Sequence, residues 1–123
     1  MNWTTVLVIV AVIAVIFILK QAGQLSVKDA QEHLKNGALG IDVRSSGEFN
    51  SGNLANAVNI PMDQLAAILP KQVTDKDQVL LLHCLTGTRS GMAKSQLKSL
   101  GYTSVFNLGS YFRARKIVGN QGE

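Results

Sequence analysis

Cys84 is the only cysteine in a chain of 123 residues, and it stands where a thiol can react. It follows the apolar run Gln78-Val79-Leu80-Leu81-Leu82-His83 and opens the segment Cys84-Leu85-Thr86-Gly87-Thr88-Arg89-Ser90, after which helical spacing begins. A thiol between a strand end and a helix start meets unpaired backbone N–H groups and the positive end of the helix dipole. In such a place its pKa falls from about 8.5 into the range of roughly 3.5 to 7.5, and the thiolate is the nucleophile. Gly87 lets the loop curl so that several N–H groups point inward as an anion nest. Arg89 supplies a fixed fork of donors that can brace the loop. An inert cysteine buried at the end of a core strand is the competing reading. The Gly, the Arg and the helix start favour the reactive one.

The elements that would hold this segment alternate between strand and helix. Ser26-Val27-Lys28-Asp29 has a capping pattern, with an acid three residues after the Ser. Val27, Ala30 and Leu34 share one helical face, and Gly37 ends that helix. Residues 38–43 form a short buried strand, and 44–53 a polar loop with one helical turn. Residues 57–60 form a strand stopped by Pro61, and 62–69 a helix stopped by Pro70. The run 78–83 is the most continuously apolar and is expected to be the central strand. Residues 90–100 form a helix with Ala93, Leu97 and Leu100 on one face, 105–108 the last strand, and 111–118 a final helix. Strands separated by helices predict an α/β domain with a mostly parallel sheet. Ligands of such sheets bind beyond the carboxyl ends of strands, which is where Cys84 lies.

Length bounds the chain to one domain and a short appendage. Apolar residues make up 46% and charged residues 16%. The charged share is below the roughly 25% of soluble domains, and disorder of the whole chain is excluded. One Cys with His33 and His83 is too few for a four-ligand structural zinc site, and a lone cysteine has no disulfide partner within the chain. The net charge of +4 is modest. It suits anionic small substrates and an anionic leaflet. No basic stripe with interleaved aromatics is present, so nucleic acid is not an expected partner.

The apolar excess lies at one end. Residues 1–19 carry no charged side chain, and 6–19 are unbroken apolar. Residues 3–19 make roughly 26 Å of helix, short but adequate for a bilayer core of about 30 Å. A transmembrane anchor is therefore expected over 1–20, with Trp3 at one interface and Lys20 snorkelling at the other. A cleaved signal peptide would need a basic start and a small-residue cleavage site, and 20–23 fit that poorly. Residues 21–24 read as a linker. No Lys or Arg precedes the span, whereas Lys20, Lys28 and Lys35 follow it. The positive-inside rule then places the domain on the cytoplasmic side, in a bacterial cell at the inner membrane.

Four stretches together resemble one family, the single-domain rhodaneses, which are sulfurtransferases. Ile41-Asp42-Val43-Arg44 followed by Glu48-Phe49 is similar to that family's DVR…E stretch. Residues 52–61, Gly-Asn-Leu-Ala-Asn-Ala-Val-Asn-Ile-Pro, resemble GHIxGAxNIP. Cys84 through Ser90 resembles the CxxGxRS active-site loop, and Leu97 through Tyr102 the LxxxG[FY] that follows. The resemblance implies a three-layer rhodanese-like domain over 25–118, preceded by one transmembrane helix and followed by a tail at 119–123.

It also implies a function: a membrane-anchored, thiosulfate sulfurtransferase-like enzyme. Cys84 would take the outer sulfur of thiosulfate or a persulfide and pass it to cyanide or a thiol. Leu85, Thr86, Gly87, Thr88, Arg89 and Ser90 would form the substrate-binding loop, with backbone N–H groups holding the sulfur's charge. Asp42, Arg44 and Glu48 would support the loops, and neither metal nor organic cofactor would be needed. His83 points away from Cys84 on an extended strand and is read as structural. Tyrosine and dual-specificity phosphatases have a loop one residue longer, so this shorter cradle suits a single sulfur. A tethered sulfur-relay or protein-binding module with little turnover is the alternative. The pattern departs from the family at Asn53, where His is usual, and at Asn56, where Gly is usual. Gly109-Ser110 replaces a Gly-Gly pair, and Ala114 stands where a Trp would be, with Tyr111 and Phe112 placed to fill part of that space. The basic cluster Arg113, Arg115 and Lys116 reads as a solvated helix face. Oligomeric state is not legible.

Overall fold

Alternation along one strand sets the layers. In β3 (Leu80–His83) all four residues are buried. Leu80 and Leu82 pack into one core, and Leu81 into the other. Side chains that alternate between two buried faces are what a strand covered on both sides requires. The computed structural model describes residues 2–22 and 24–119, with only the backbone of 19–22. Met1, the Lys20 side chain, Gly23 of the expected linker and 120–123 of the expected tail lie outside the described residues.

The sheet has four parallel strands in the order β2-β1-β3-β4, with β1 at Leu39–Asp42, β2 at Val58–Asn59 and β4 at Val105–Gly109. Its register sets Asp42 opposite His83, one residue before Cys84. On one face lie α4 (Leu65–Gln72) and α5 (Thr88–Ser99), which bury Leu65, Leu69, Ala93 and Leu97 against Ile41, Leu82 and Cys84. On the other lie α2 (Val27–Lys35) and α6 (Tyr111–Gly119), which bury Ala30, Ala114 and Ile117 against Leu81 and Leu108. Truncating a buried leucine such as Leu82 to Ala would cost about 2–5 kcal/mol. The result is the expected three-layer α/β arrangement. Ala114 is an integral part of this core.

Local chemistry explains the boundaries. Ser26 caps α2 by accepting from Asp29 N–H at 3.2 Å. The polar stretch after β1 forms a fuller helix than one turn, α3 (Ser46–Ser51). Its capping box, in which Ser45 and Glu48 satisfy each other's backbone N–H, stabilises it although it buries nothing. α4 does not stop at Pro70 but continues to Gln72. Pro70 cannot donate to the carbonyl four residues before it, yet Val73 N–H closes the last turn on Leu69 O at 2.8 Å. Leu100 is more exposed than its helical spacing implies, because α5 ends one residue earlier. Asn56, where the family pattern has Gly, adopts a φ of 65°. Asn is one of the few residues that tolerates the left-handed region.

The N-terminal segment is a helix, α1 (Trp3–Ala22). Among the described residues, however, no helix is long and apolar enough to cross a membrane. The expected transmembrane helix over 1–20 is therefore not carried by the structure. Leu7, Val8, Val10, Ile13, Ile16 and Phe17 all stand exposed on α1.

Candidate active site

The Cys84–Ser90 loop is shaped by two glycines held in the left-handed region. Gly87, at φ 95°, is the residue before α5. A Cβ there would lie 3.2 Å from Gly109 Cα, and one on Gly109, also at φ 95°, would lie 2.8 Å from Gln24 Nε2. The left-handed φ disfavours a side chain at both positions, and at Gly87 the crowding neighbour is backbone. The loop is also tied to the end of β4 and the residues that follow it: Thr86 bridges Ser110, Cys84 N–H donates to Gly109 O at 3.3 Å, and Tyr111 N–H donates to Leu85 O at 3.2 Å.

This geometry curls donors around the buried Cys84 sulfur. Sγ accepts from Gly87 N–H at 3.0 Å, from Ser90 N–H at 3.4 Å and from Ser90 Oγ at 3.5 Å. Burial pushes the thiol up. The Ser90 hydroxyl and the N–H groups of Ser90, Gly87 and Thr86 outweigh it, so the thiol titrates below its ordinary value. The start of α5, which carries no acid in its first turn, acts in the same direction. Ser90 and Gly87 are thus the residues of the expected loop that hydrogen-bond the sulfur. Leu85 turns its side chain outward.

Arg89 is engaged by a carboxylate rather than by the sulfur. Its guanidinium grips Glu48 with two bonds of 2.7 and 2.9 Å, fixing the loop to α3. The Arg89 fork, with help from Ser45, holds Glu48 at about 2. Glu48 is bound twice over, since it also accepts from Ser45 N–H and Oγ.

Asp42 and Arg44 form a separate buried pair beneath the 44–52 turn. Arg44 Nη2 reaches Asp42 Oδ2 at 2.7 Å and Gly52 O at 2.7 Å, and its Cζ lies 4.5 Å from the Tyr111 ring centre. Burial alone would push Asp42 up. Contacts from His83 and Arg44 reverse this and hold it well below the carboxylate range. His83 Nε2 approaches Asp42 Oδ2 at 3.4 Å but makes no aligned hydrogen bond, so the Arg44 fork is the firmer influence. The two loop-supporting residues of β1 and its turn thus brace backbone and do not meet Sγ.

Three contributors had little signal in the sequence. Asn107 is a buried polar residue within β4, and its interruption of an apolar strand was the only clue. Gln24 pairs with Asn107 as an isolated bridge, setting its amide beside Gly87 and Gly109. Arg113 does not lie on a solvated face: it turns inward to donate to Leu108 O and Leu25 O. Arg115 and Lys116 are exposed, as expected. Tyr111 packs under Arg44, whereas Phe112 is exposed. A cleft of about 910 Å³ between α2, α6 and the 53–57 loop is lined by His83, Tyr111, Arg115 and Asn53, but not by Cys84. Among the described residues no three His, Cys, Asp or Glu side chains come together as metal ligands.

Comparison with known proteins gives the family and the fold. The family model of the rhodanese-like domain matches residues 26–113. The thiosulfate sulfurtransferase PspE of Escherichia coli (strain K12) is 35% identical over 69 residues, covering 56% of this chain and 66% of that protein. The chain thus spans just under two thirds of that relative. Among solved structures, the human single-domain sulfurtransferase TSTD1 superimposes with a TM-score of 0.65 at 27% identity, covering 76% of this chain and 96% of that one. A rhodanese with anions from E. coli gives a TM-score of 0.60 at 31% identity, covering 63% and 91% respectively.

Proposed function

Since the chain belongs to the rhodanese-like family, we propose that it is a sulfurtransferase that carries sulfane sulfur on Cys84. One observation carries the proposal: Sγ sits within reach of Gly87 N–H, Ser90 N–H and the Ser90 hydroxyl at the start of α5. These donors favour the anion that the chemistry needs, both as thiolate and as persulfide.

The two half-reactions balance without a cofactor. The Cys84 thiolate attacks the outer sulfur of thiosulfate. A new S–S bond forms, the old one breaks, and its electron pair leaves with sulfite. The product is a Cys84 persulfide anion whose charge the loop N–H groups hold. An acceptor such as cyanide or a thiolate then attacks the outer sulfur, and the electron pair returns to Cys84 as thiolate. Covalent transfer in two halves gives ping-pong kinetics. Parallel double-reciprocal lines with thiosulfate and cyanide, and no thiocyanate from Cys84→Ser, would support the proposal. Intersecting lines or an active Cys84→Ser would refute it.

A relay that passes sulfur to a protein rather than to a small molecule is the second form of this proposal. It is favoured by the exposed apolar side chains of Leu85 and Phe112 beside the loop. We extend the proposal to location: α1 anchors the domain as a single pass in a bacterial inner membrane, with the domain facing the cytoplasm. Support comes from the uncharged run through Leu19, the exposed apolar side chains of α1, and the placement of Lys20, Lys28 and Lys35 after it.

A further inference from the structure

The amide of Asn107 is held in one orientation by two backbone groups. Its Nδ2 donates to Gly87 O at 3.2 Å, and its Oδ1 accepts from Gly109 N–H at 2.8 Å. A flipped amide would set donor against donor and acceptor against acceptor. Oδ1, so fixed, lies 2.7 Å from Ser90 Oγ, and at that distance the hydroxyl donates to it. Yet a serine hydroxyl has a single proton. The same oxygen lies 3.5 Å from Cys84 Sγ and 3.2 Å from Gly87 O.

We propose that Asn107 is a positioning residue that competes with Cys84 for the hydroxyl proton of Ser90. With Cys84 as neutral thiol, Ser90 donates to Asn107 and its lone pair receives the S–H. When the thiol proton leaves to solvent, the hydroxyl turns toward Sγ and the Asn107 bond is lost. Asn107 therefore restrains ionisation of Cys84 while Ser90 favours it, and the balance sets how much thiolate is present at rest. This role rests on Cys84 being the nucleophile.

Other charged groups belong to the elements packed around the sulfur. Arg89 of α5 is neutralised by Glu48 of α3, and Arg44 pairs with Asp42 at the end of β1. His83 precedes Cys84 in β3, and Arg113 of α6 is engaged at Leu108 O and Leu25 O. No hydrogen bond among the described residues joins any of these to Ser90 Oγ or the Asn107 amide, so they form a common background.

The test is the thiol pKa of the full chain, read from the pH dependence of iodoacetamide alkylation by intact mass. Four proteins close a cycle: wild type, Asn107→Ala, Ser90→Ala and the double variant. Asn107→Ala is expected to lower the thiol pKa by about one unit, roughly tenfold more thiolate on the acid side. Ser90→Ala raises it, and Asn107→Ala adds nothing in the Ser90→Ala background. An unchanged or raised pKa in Asn107→Ala, or an equal shift in both backgrounds, overturns the proposal. If Asn107→Ala does not fold, Asn107→Asp keeps the acceptor and must raise the pKa more with Ser90 present than without it; equal shifts again overturn it. Alkylation needs no sulfur donor. A wild type that shows this pattern but never takes up sulfur faults the sulfurtransferase reading alone.

Discussion

Glu48 and Arg89 meet carboxylate to guanidinium, with Oε1 at 2.7 Å from Nη1 and Oε2 at 2.9 Å from Nη2, across a chain separation of 41 residues. The same carboxylate closes the capping box of α3. One side chain thus holds together the helix after β1 and the loop after β3, and the conformation of the Cys84 cradle depends on both.

Replacing Glu48 by Gln should loosen that joint. Both side chains are about one third exposed, so the loss in folding stability should be no more than about 1 kcal/mol at neutral pH. The sign with pH is fixed. Glu48 titrates lower in the folded chain, at about 2, than its ordinary 4.5. Its contribution is present above about 4.5 and fades as pH falls toward 2. Thermal unfolding across pH 2 to 7 should show wild type and Glu48→Gln converging at the acid end. Arg89→Lys keeps the charge but loses the fork, and should reproduce most of the loosening.

The Asp42–Arg44 pair is buried, and its disruption should be much more severe. Asp42→Asn leaves Arg44 without a counter-charge and should cost about 3–5 kcal/mol in urea unfolding. Asp42 is held below its ordinary 3.8, so its contribution is present above that value and is lost as pH falls below it. A change under 1 kcal/mol would show that the pair braces nothing.

Gly87→Ala should separate backbone strain from chemistry. At φ 95° and with Gly109 Cα only 3.2 Å away, an added Cβ forces the loop to open. The expected result is a stability loss of about 1–3 kcal/mol together with slower alkylation of Cys84 at neutral pH. Gly47→Ala in α3 is the control, since its Cβ meets nothing within 4 Å. It should be neutral or stabilising, by up to about 1 kcal/mol.

The location of the domain is open to a direct check. Carbonate-washed bacterial membranes should retain the full chain, and a reporter fused after Glu123 should act as a cytoplasmic one. Release by carbonate would remove the anchor, and periplasmic reporter activity would reverse its orientation.

Much of this was legible in the residues. The continuous apolar run in 78–83 and the spacing of Ala30, Ala93 and Leu97 pointed to the layers, because burial on both sheet faces leaves a strong pattern. The loop from Cys84 to Ser90 was legible because glycine, arginine and a helix start are each required by its shape. α3 was understated, since it buries nothing and is held only by the Ser45–Glu48 box, a signal present but short. α4 continued beyond Pro70 because Leu69 O still finds a donor past the proline, in Val73 N–H, so the turn closes although the Pro70 bond is lost. The contributions of Gln24, Asn107 and Arg113 arise from tertiary contacts between segments more than 15 residues apart, such as Asn107 with Gly87. No local pattern encodes those. The outward-facing apolar surface of α1 was plain in sequence, but what covers it is not a property of the fold.

The central claim, that Cys84 takes up sulfur as a stabilised anion, is tested most directly by intact mass. The full chain is incubated with thiosulfate, freed of small molecules by gel filtration, and weighed beside Cys84→Ser. A gain of one sulfur atom in the wild type, reversed by cyanide and absent from Cys84→Ser, is the predicted result. An unchanged mass for a folded wild type, or an equal gain in the serine variant, would contradict it.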